Sequence, residues 1–400
     1  MKKKIIIISH AMELGGAERS LLGMLETIDY SQYDVDLFLL RHEGELLSCI
    51  PSKVHLLPEL PAYTVLARPL KSVIKEKHFL LAVARIYGKI RAIYFDKRNN
   101  YKDSIVALEY SHKYTYKLMP QIQPDQNYDV AISFLTPHYI VANNVRAKKK
   151  MAWIHTDYSQ IQLNVSSENK MWAQYDYIIS ISEAVTKGFM DTFPNLKSKV
   201  ILIENIIPSK LVAAQAVEKN ISEEMPKRGI RILSIGRYCK AKNFDNVPEI
   251  CRKLCENGLD VYWYIIGFGE DEKLIRQKIK DNDMEKRVIL LGKRKNPYPY
   301  IRECDLYVQP SRYEGKSVAV REAQLLKKPV IITNYPTAKS QVENGIDGII
   351  VSLDNEKCAA EIKKVLDNNQ MMAQLVQNCS KRDYSNSQEI EKIYHLLEEN

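Results

Sequence analysis

A chain of 400 residues is longer than one ordinary hydrophobic core organises, so two domains are expected. With 45% hydrophobic and 27% charged residues it falls outside the disordered and fibrous classes, and no apolar run approaches the roughly 20 residues that span a bilayer. The net charge of +9 suits anionic partners such as phosphorylated small molecules or anionic lipid, without choosing among them.

The opening MKKKIIIISHAMELGG has only four isoleucines before Ser9 and His10. That is too short for a signal-peptide core, and it predicts a buried first strand. Further β-branched runs follow at 35–40, 54–57, 129–134, 151–155, 177–182 and 200–203, and a second series at 230–236, 261–267, 288–292, 305–311, 329–333 and 348–351. Runs buried on both faces and separated by helical patterns predict parallel sheets covered by helices. The expectation is an α/β protein of two doubly wound domains: 1–207, a linker at 208–228, 229–385, and a C-terminal helix in 386–400 crossing back to the first domain. The seven cysteines form no CxxC pair, and Cys251 and Cys255 read as one helix face, which suits a reducing cytoplasm.

The first domain carries one interruption. From about 66 to 117 the strand signal gives way to a basic helical insertion. Val73, Leu80, Val83, Tyr87, Ile90 and Tyr94 recur at helical spacing, which predicts a buried stripe. Lys71, Lys75, His78, Arg85 and Lys89 would form the opposite face, either solvated or turned toward anionic lipid or a lipid-linked diphosphate.

Candidate chemistry lies where strands end. Gly15 and Gly16 let backbone approach an anion at a helix N-terminus, although a tight turn would also use glycine. In SIGRYCKAKNFD, Arg237 and Lys242 follow a strand and can grip phosphate oxygens, with Lys240 as a competitor. IIGFGEDEKL supplies Gly267 at the end of another. In RYEGKSVAVREA the segment Gly315, Lys316, Ser317 and Val318 leads into a helix, where free N–H groups would meet an anion. Glu322 could accept from ribose hydroxyls, and Glu314 could orient sugar hydroxyls or stabilise charge at an anomeric carbon. His155 and Asp157 follow the strand MAWIH. The strings Asp34-Val-Asp36 and Asp281-Asn-Asp283 are not expected to hold a metal.

These motifs, in this order, resemble the retaining glycosyltransferases of family 4, which have the GT-B architecture of two Rossmann-like domains facing across a cleft. The most specific element is E-x7-E, here Glu314 and Glu322. The resemblance implies that Glu322 binds the ribose, Arg237 and Lys242 the donor diphosphate, and the backbone of Ser317 and Val318 its distal phosphate. It also implies that Glu314 holds the sugar, that His155 stands beside it, and that Lys293-Arg294 contacts the base through backbone. Lys316 departs from the family, which has an apolar residue there, and Asn205-Ile206 replaces its Asn-Gly. The expected activity is metal-independent transfer of a hexose or N-acetylhexosamine, with no cofactor beyond the nucleotide-sugar donor, a UDP-sugar. The acceptor would be a polyprenyl-diphosphate-linked glycan at the cytoplasmic face of the membrane, and nucleic acid is not an expected partner. A nucleotide-sugar epimerase and a non-catalytic partner subunit are the alternatives.

Overall fold

The computed structural model describes residues 2–64, 66 and 68–398. Ala67 of the insertion, and Met1, Glu399 and Asn400 at the ends of the expected domains, lie outside them. The chain divides into two compact units, one of Met1–Asn205 with Ser387–Asn400 and one of Ile206–Asn386.

The first unit has a seven-stranded sheet in the order β3-β2-β1-β4-β5-β6-β7. Its strands are β1 Lys3–Ser9, β2 Tyr33–Leu39, β3 His55–Leu56, β4 Tyr128–Ser133, β5 Ala147–Ile154, β6 Tyr177–Ser180 and β7 Val200–Leu202, all pairing in parallel. The four isoleucines 5–8 are essentially inaccessible, because a central parallel strand is covered on both faces. The C-terminal helix Ile390–Glu398 packs here: Tyr394 stacks on Tyr33 and its hydroxyl accepts the Asp29 N–H at 2.8 Å.

The second unit has six strands: β8 Ile230–Ile235, β9 Val261–Ile266, β10 Val288–Gly292, β11 Leu306–Gln309, β12 Val330–Thr333 and β13 Ile349–Val351. Their order is β10-β9-β8-β11-β12-β13, again all parallel. Alternate residues feed two separate cores. Leu233, Tyr264 and Tyr307 face one layer of helices, and Ile232, Trp263 and Val308 the other. In this winding the chain reverses direction across the sheet between β8 and β11. Their carboxyl-end loops therefore diverge around a crevice, the usual place for a ligand in an open parallel sheet.

Two expectations change. Residues 208–228 were expected as a linker, yet Val212, Ala216, Ile221 and Met225 are buried in the second unit's core. Their apolar side chains anchor a stretch whose overall polarity suggested exposure. In the insertion, the helix Phe79–Asn99 buries Leu81, Ala82, Gly88 and Ala92 rather than the stripe through Val83 and Tyr94. The reason is steric. The helix packs on Val106–Thr115 so closely that a Cβ on Gly88 would stand 2.9 Å from the Tyr110 carbonyl oxygen. Small residues permit that approach and large ones are turned away. Arg85, expected on the solvated basic face, instead points its guanidinium inward to donate to the Arg68 carbonyl at 2.6 Å.

Candidate functional site

In the second unit two loops meet at the point where the winding reverses. The loop after β8 begins at Gly236, whose missing Cβ lets the stem of Lys242 lie on the backbone; a Cβ there would sit 3.1 Å from Lys242 Cδ and Cε. A single turn, Lys240–Lys242, leads to Asn243 in the left-handed region at φ 60°. Asn243 Nδ2 donates to the Pro310 carbonyl at 2.9 Å, and Asn246 Nδ2 donates to Asn243 Oδ1 at 2.7 Å. From the loop after β11, Arg312 forks onto Asp245 at 2.8 and 2.7 Å, and its N–H donates to the Ala241 carbonyl at 2.8 Å. That planar two-bond pairing fixes one loop on the other.

The clamp sets Lys242 Nζ against Glu314 Oε1 as an ion pair. The same oxygen accepts from Ser311 Oγ at 2.7 Å, Gln309 Nε2 donates to Ser311 Oγ at 3.0 Å, and the Tyr307 hydroxyl donates to Gln309 Oε1 at 2.7 Å. Burial drives the Tyr307 phenol far above its ordinary range, and Glu322 and Glu314 add to it, so this buried tyrosine senses both carboxylates. Arg237 is exposed and, among the described residues, has no ion-pair partner. One cation is thus held against a carboxylate while the other stands free.

The other predicted residues make contacts within the chain itself. Ser317 does not offer a free N–H: it donates to Gln341 Oε1 at 2.7 Å, so a neutral side chain already occupies the N-terminus of the helix Val318–Leu325. Glu322 is only 1% exposed and takes the Tyr298 hydroxyl at 2.8 Å. It sits beneath the loops rather than on them. Lys316 and Gly315 are half-buried, and Lys316 is engaged by other groups of the chain. Gly267 serves close packing, since a Cβ there would overlap the Gly236 carbonyl oxygen and come within 2.8 Å of the Tyr238 ring. The Arg294 guanidinium is committed to Glu224 and the Tyr300 hydroxyl, while Lys293 Nζ lies 4.9 Å from the centre of the Phe268 ring. Bonds from Lys219, from the Tyr300 hydroxyl at 2.6 Å and from Arg294 hold the Glu224 carboxyl down at about 2.

In the first unit, Gly15 caps the helix Gly16–Thr27, but the Glu18 carboxylate folds over it and fills the space where its Cβ would be. The chain's own acid therefore covers that N-terminus. His155 follows β5 and lines a cavity of about 200 Å³ with Glu109, His112, His138, Tyr158 and Glu168. Its Nε2 is enclosed with no hydrogen-bond partner among the described residues, and burial lowers the imidazole to about 4, so it is neutral at pH 7. A neutral ring can exchange a hydrogen bond with a sugar hydroxyl but brings no charge to a phosphate. Burial pushes Glu168 up to about 7, although the Tyr158 hydroxyl at 2.8 Å and Trp172 Nε1 at 3.2 Å both donate to it. The carboxylates of the first DxD string are otherwise occupied, since Asp36 takes His55 Nδ1 at 2.9 Å and Asp34 pairs with Lys2 at 3.2 Å, and in the second Asp281 accepts from Gln277 Nε2 at 2.8 Å. Among the described residues no group of three or more His, Cys, Asp or Glu is arranged to hold a metal, and no helix is long and apolar enough to cross a membrane.

Asn243, Asp245, Ser311, Arg312 and Gln341 were not anticipated. Asn243 carried a faint signal as a residue tolerant of the left-handed region before a helix. Gln341 carried none, because it reaches Ser317 from 24 positions away.

Solved structures show the same architecture. One is a complex of Anabaena Alr3699/HepE with UDP and glucose, at 16% identity, with 98% of this chain and 99% of that chain covered and a TM-score of 0.67. Another is a mutant of S. aureus TarM in complex with Fondaparinux, alpha-GlcNAc-glycerol and UDP, at 15% identity, with 99% of this chain and 100% of that chain covered and a TM-score of 0.68. The fold is GT-B, that of a large class of glycosyltransferases. Residues 217–382 match the family Glycosyl transferases group 1, so the chain carries a glycosyltransferase group 1 domain that holds the two-loop site.

Two curated relatives are the Campylobacter jejuni N-acetylgalactosamine-N,N'-diacetylbacillosaminyl-diphospho-undecaprenol 4-alpha-N-acetylgalactosaminyltransferase and the Escherichia coli UDP-Gal:alpha-D-GlcNAc-diphosphoundecaprenol alpha-1,3-galactosyltransferase. The first is 25% identical over 187 residues, 46% of this chain and 49% of that protein. The second is 31% identical over 124 residues, 30% of this chain and 32% of that protein. The matched segments thus span about a third to a half of the length of these relatives.

Proposed function

We propose that the chain transfers a hexose or N-acetylhexosamine from a UDP-sugar to a lipid-linked glycan in cell-surface polysaccharide synthesis. In this reading transfer retains the anomeric configuration and needs no metal. The observation that carries it is the pairing of Lys242 with Glu314 beside the free Arg237, where the second unit's winding reverses. Two cations suit a diphosphate leaving group, which gains charge as the anomeric C–O bond breaks and its electron pair passes to the phosphate oxygen. The acceptor hydroxyl forms the new C–O bond, and its proton passes to the departing phosphate. Glu314, once a phosphate draws Lys242 away, is free to take hydrogen bonds from the donor sugar. His155, being neutral, would orient a hydroxyl.

The choice of uridine is supported by UDP in the solved structures of similar fold, and the acceptor class by the diphosphoundecaprenol in the relatives' names. The test is a thermal-shift screen over nucleotide sugars, followed by donor turnover in Arg237→Ala and Glu314→Gln. Stabilisation by a UDP-sugar, and loss of turnover in both variants without loss of fold, is expected. Unchanged turnover in both would overturn the site assignment.

A further inference from the structure

The helix Phe79–Asn99 turns its apolar side outward. Leu80, Val83, Ile90 and Tyr94 are 72%, 64%, 59% and 65% exposed, and Tyr87 and Ile93 join them at the same helical spacing. Scattered exposed leucines mean little, but one stripe of large apolar side chains from Leu80 to Tyr94 of a 21-residue helix is a surface that water disfavours. At 1.5 Å per residue the stripe from Leu80 to Tyr94 is roughly 20 Å long. Its flanks are basic: the helical repeat puts Lys89 on one side, Arg91 and Arg98 on the other, and Lys97 near the C-terminal end. Among the described residues none of these four is in an ion pair, and Arg91 bonds only the Tyr87 hydroxyl, at 3.3 Å. The helix's one acid, Asp96, is half-buried and accepts from Ser104 Oγ at 2.7 Å.

We propose that this helix lies flat in the surface of an anionic lipid bilayer. The stripe reaches the boundary between headgroups and acyl chains, the tyrosine rings sit at headgroup level, and the four cations meet lipid phosphates. A second copy of the chain is the poorer occupant, because two such faces would bring Lys89, Arg91, Lys97 and Arg98 against the same cations. Lipid satisfies both the apolar stripe and its charged margins. The inference stands apart from the proposed transfer, since it needs neither donor nor acceptor.

The test uses the full chain and phosphatidylcholine vesicles containing about one-third phosphatidylglycerol, read by co-sedimentation. Ile90→Glu with Tyr94→Glu is expected to lower vesicle affinity at least about tenfold, as is replacement of Lys89, Arg91, Lys97 and Arg98 by glutamine. Ile90→Trp is expected to give an emission that shifts blue on anionic vesicles and is quenched by brominated acyl chains. Because position 90 is exposed, this variant keeps the test open if the glutamate pair disturbs folding. Unchanged vesicle affinity in the glutamate variant, or an introduced indole that stays in water, would overturn the proposal. So would a self-associated chain that Ile90→Glu with Tyr94→Glu separates while vesicle binding persists.

Discussion

Replacing Lys242 by methionine keeps the stem that lies on Gly236 and removes only the charge. Glu314 is then left with Ser311 Oγ as its donor. The two side chains are 19% and 10% exposed, between an open ion pair worth roughly 0–1 kcal/mol and a buried one whose breaking costs roughly 3–5 kcal/mol. A loss of about 2 kcal/mol is therefore expected. Glu314→Gln keeps an oxygen for Ser311 and leaves a lysine that can still reach water, so about 1 kcal/mol is expected. The two changes remove one shared interaction, and denaturant unfolding of the double variant should show a coupling of about 1 kcal/mol or more. UDP titration should split the singles in opposite directions. Lys242→Met weakens binding about tenfold, whereas Glu314→Gln, which removes an anion from beside the diphosphate, strengthens it by a few-fold. A coupling near zero, together with equal weakening of UDP binding by both singles, would refute the claim that phosphate and Glu314 compete for Lys242.

Three further outcomes follow from named contacts. Burial holds His112 and His138 at about 3 and His155 at about 4, below the ordinary 6.5, so their contribution to stability is present above 6.5 and is lost as pH falls. Glu168, raised from 4.5 to about 7, works the other way: its contribution is full below 4.5 and is lost as pH rises to about 7. Burial also lowers His10 and raises Glu109, so the histidines still outnumber the glutamates and the first unit's stability should fall as pH drops from 6.5 toward 4.5, while Glu168→Gln should stabilise it at pH 8 by about 3 kcal/mol. Denaturation across pH reads both; a flat acid limb would contradict the first. Gly267→Ala should cost about 3 kcal/mol by driving the loops after β8 and β9 apart, with UDP binding lost alongside, and a wild-type midpoint would show that the backbones are not in contact. Asn243→Gly, which tolerates the left-handed backbone but loses the bond to Pro310, should cost about 1 kcal/mol, and Asn243→Ala about 1 kcal/mol more; equal losses would show that backbone strain plays no part.

The thirteen strands of the described residues were legible, the central ones because a parallel strand covered on both faces leaves a β-branched run that little else explains. The positions of Lys242 and Glu314 were legible for a related reason, since each follows the carboxyl end of a strand at a point the winding singles out. What the residues cannot disclose locally is which partner reaches them from afar. Spacing marked Ser317 as an open donor, but Gln341 answers it from another loop. Periodicity found the stripe through Val83 and Tyr94 but not its direction, which was settled by Gly88 permitting a closer approach on the other side. Composition made 208–228 look like a tether, and four apolar side chains within it outweighed that average.

The return of Ile390–Glu398 to the first unit has a consequence for how the protein is made. The chain leaves that unit at Asn205 and re-enters it at Ser387, and the two ends of the intervening unit are tied by the Ile207 N–H to the Ser385 carbonyl at 2.8 Å. The second unit is thus an insertion with neighbouring ends, able to close as soon as its own residues emerge from the ribosome. The first unit, although synthesised earlier, waits for Tyr394 to cover Tyr33. Until residue 394 is made the face of Tyr33 stays uncovered, and a stop codon at position 387 would spare the unit just completed and leave the one begun first without that cover.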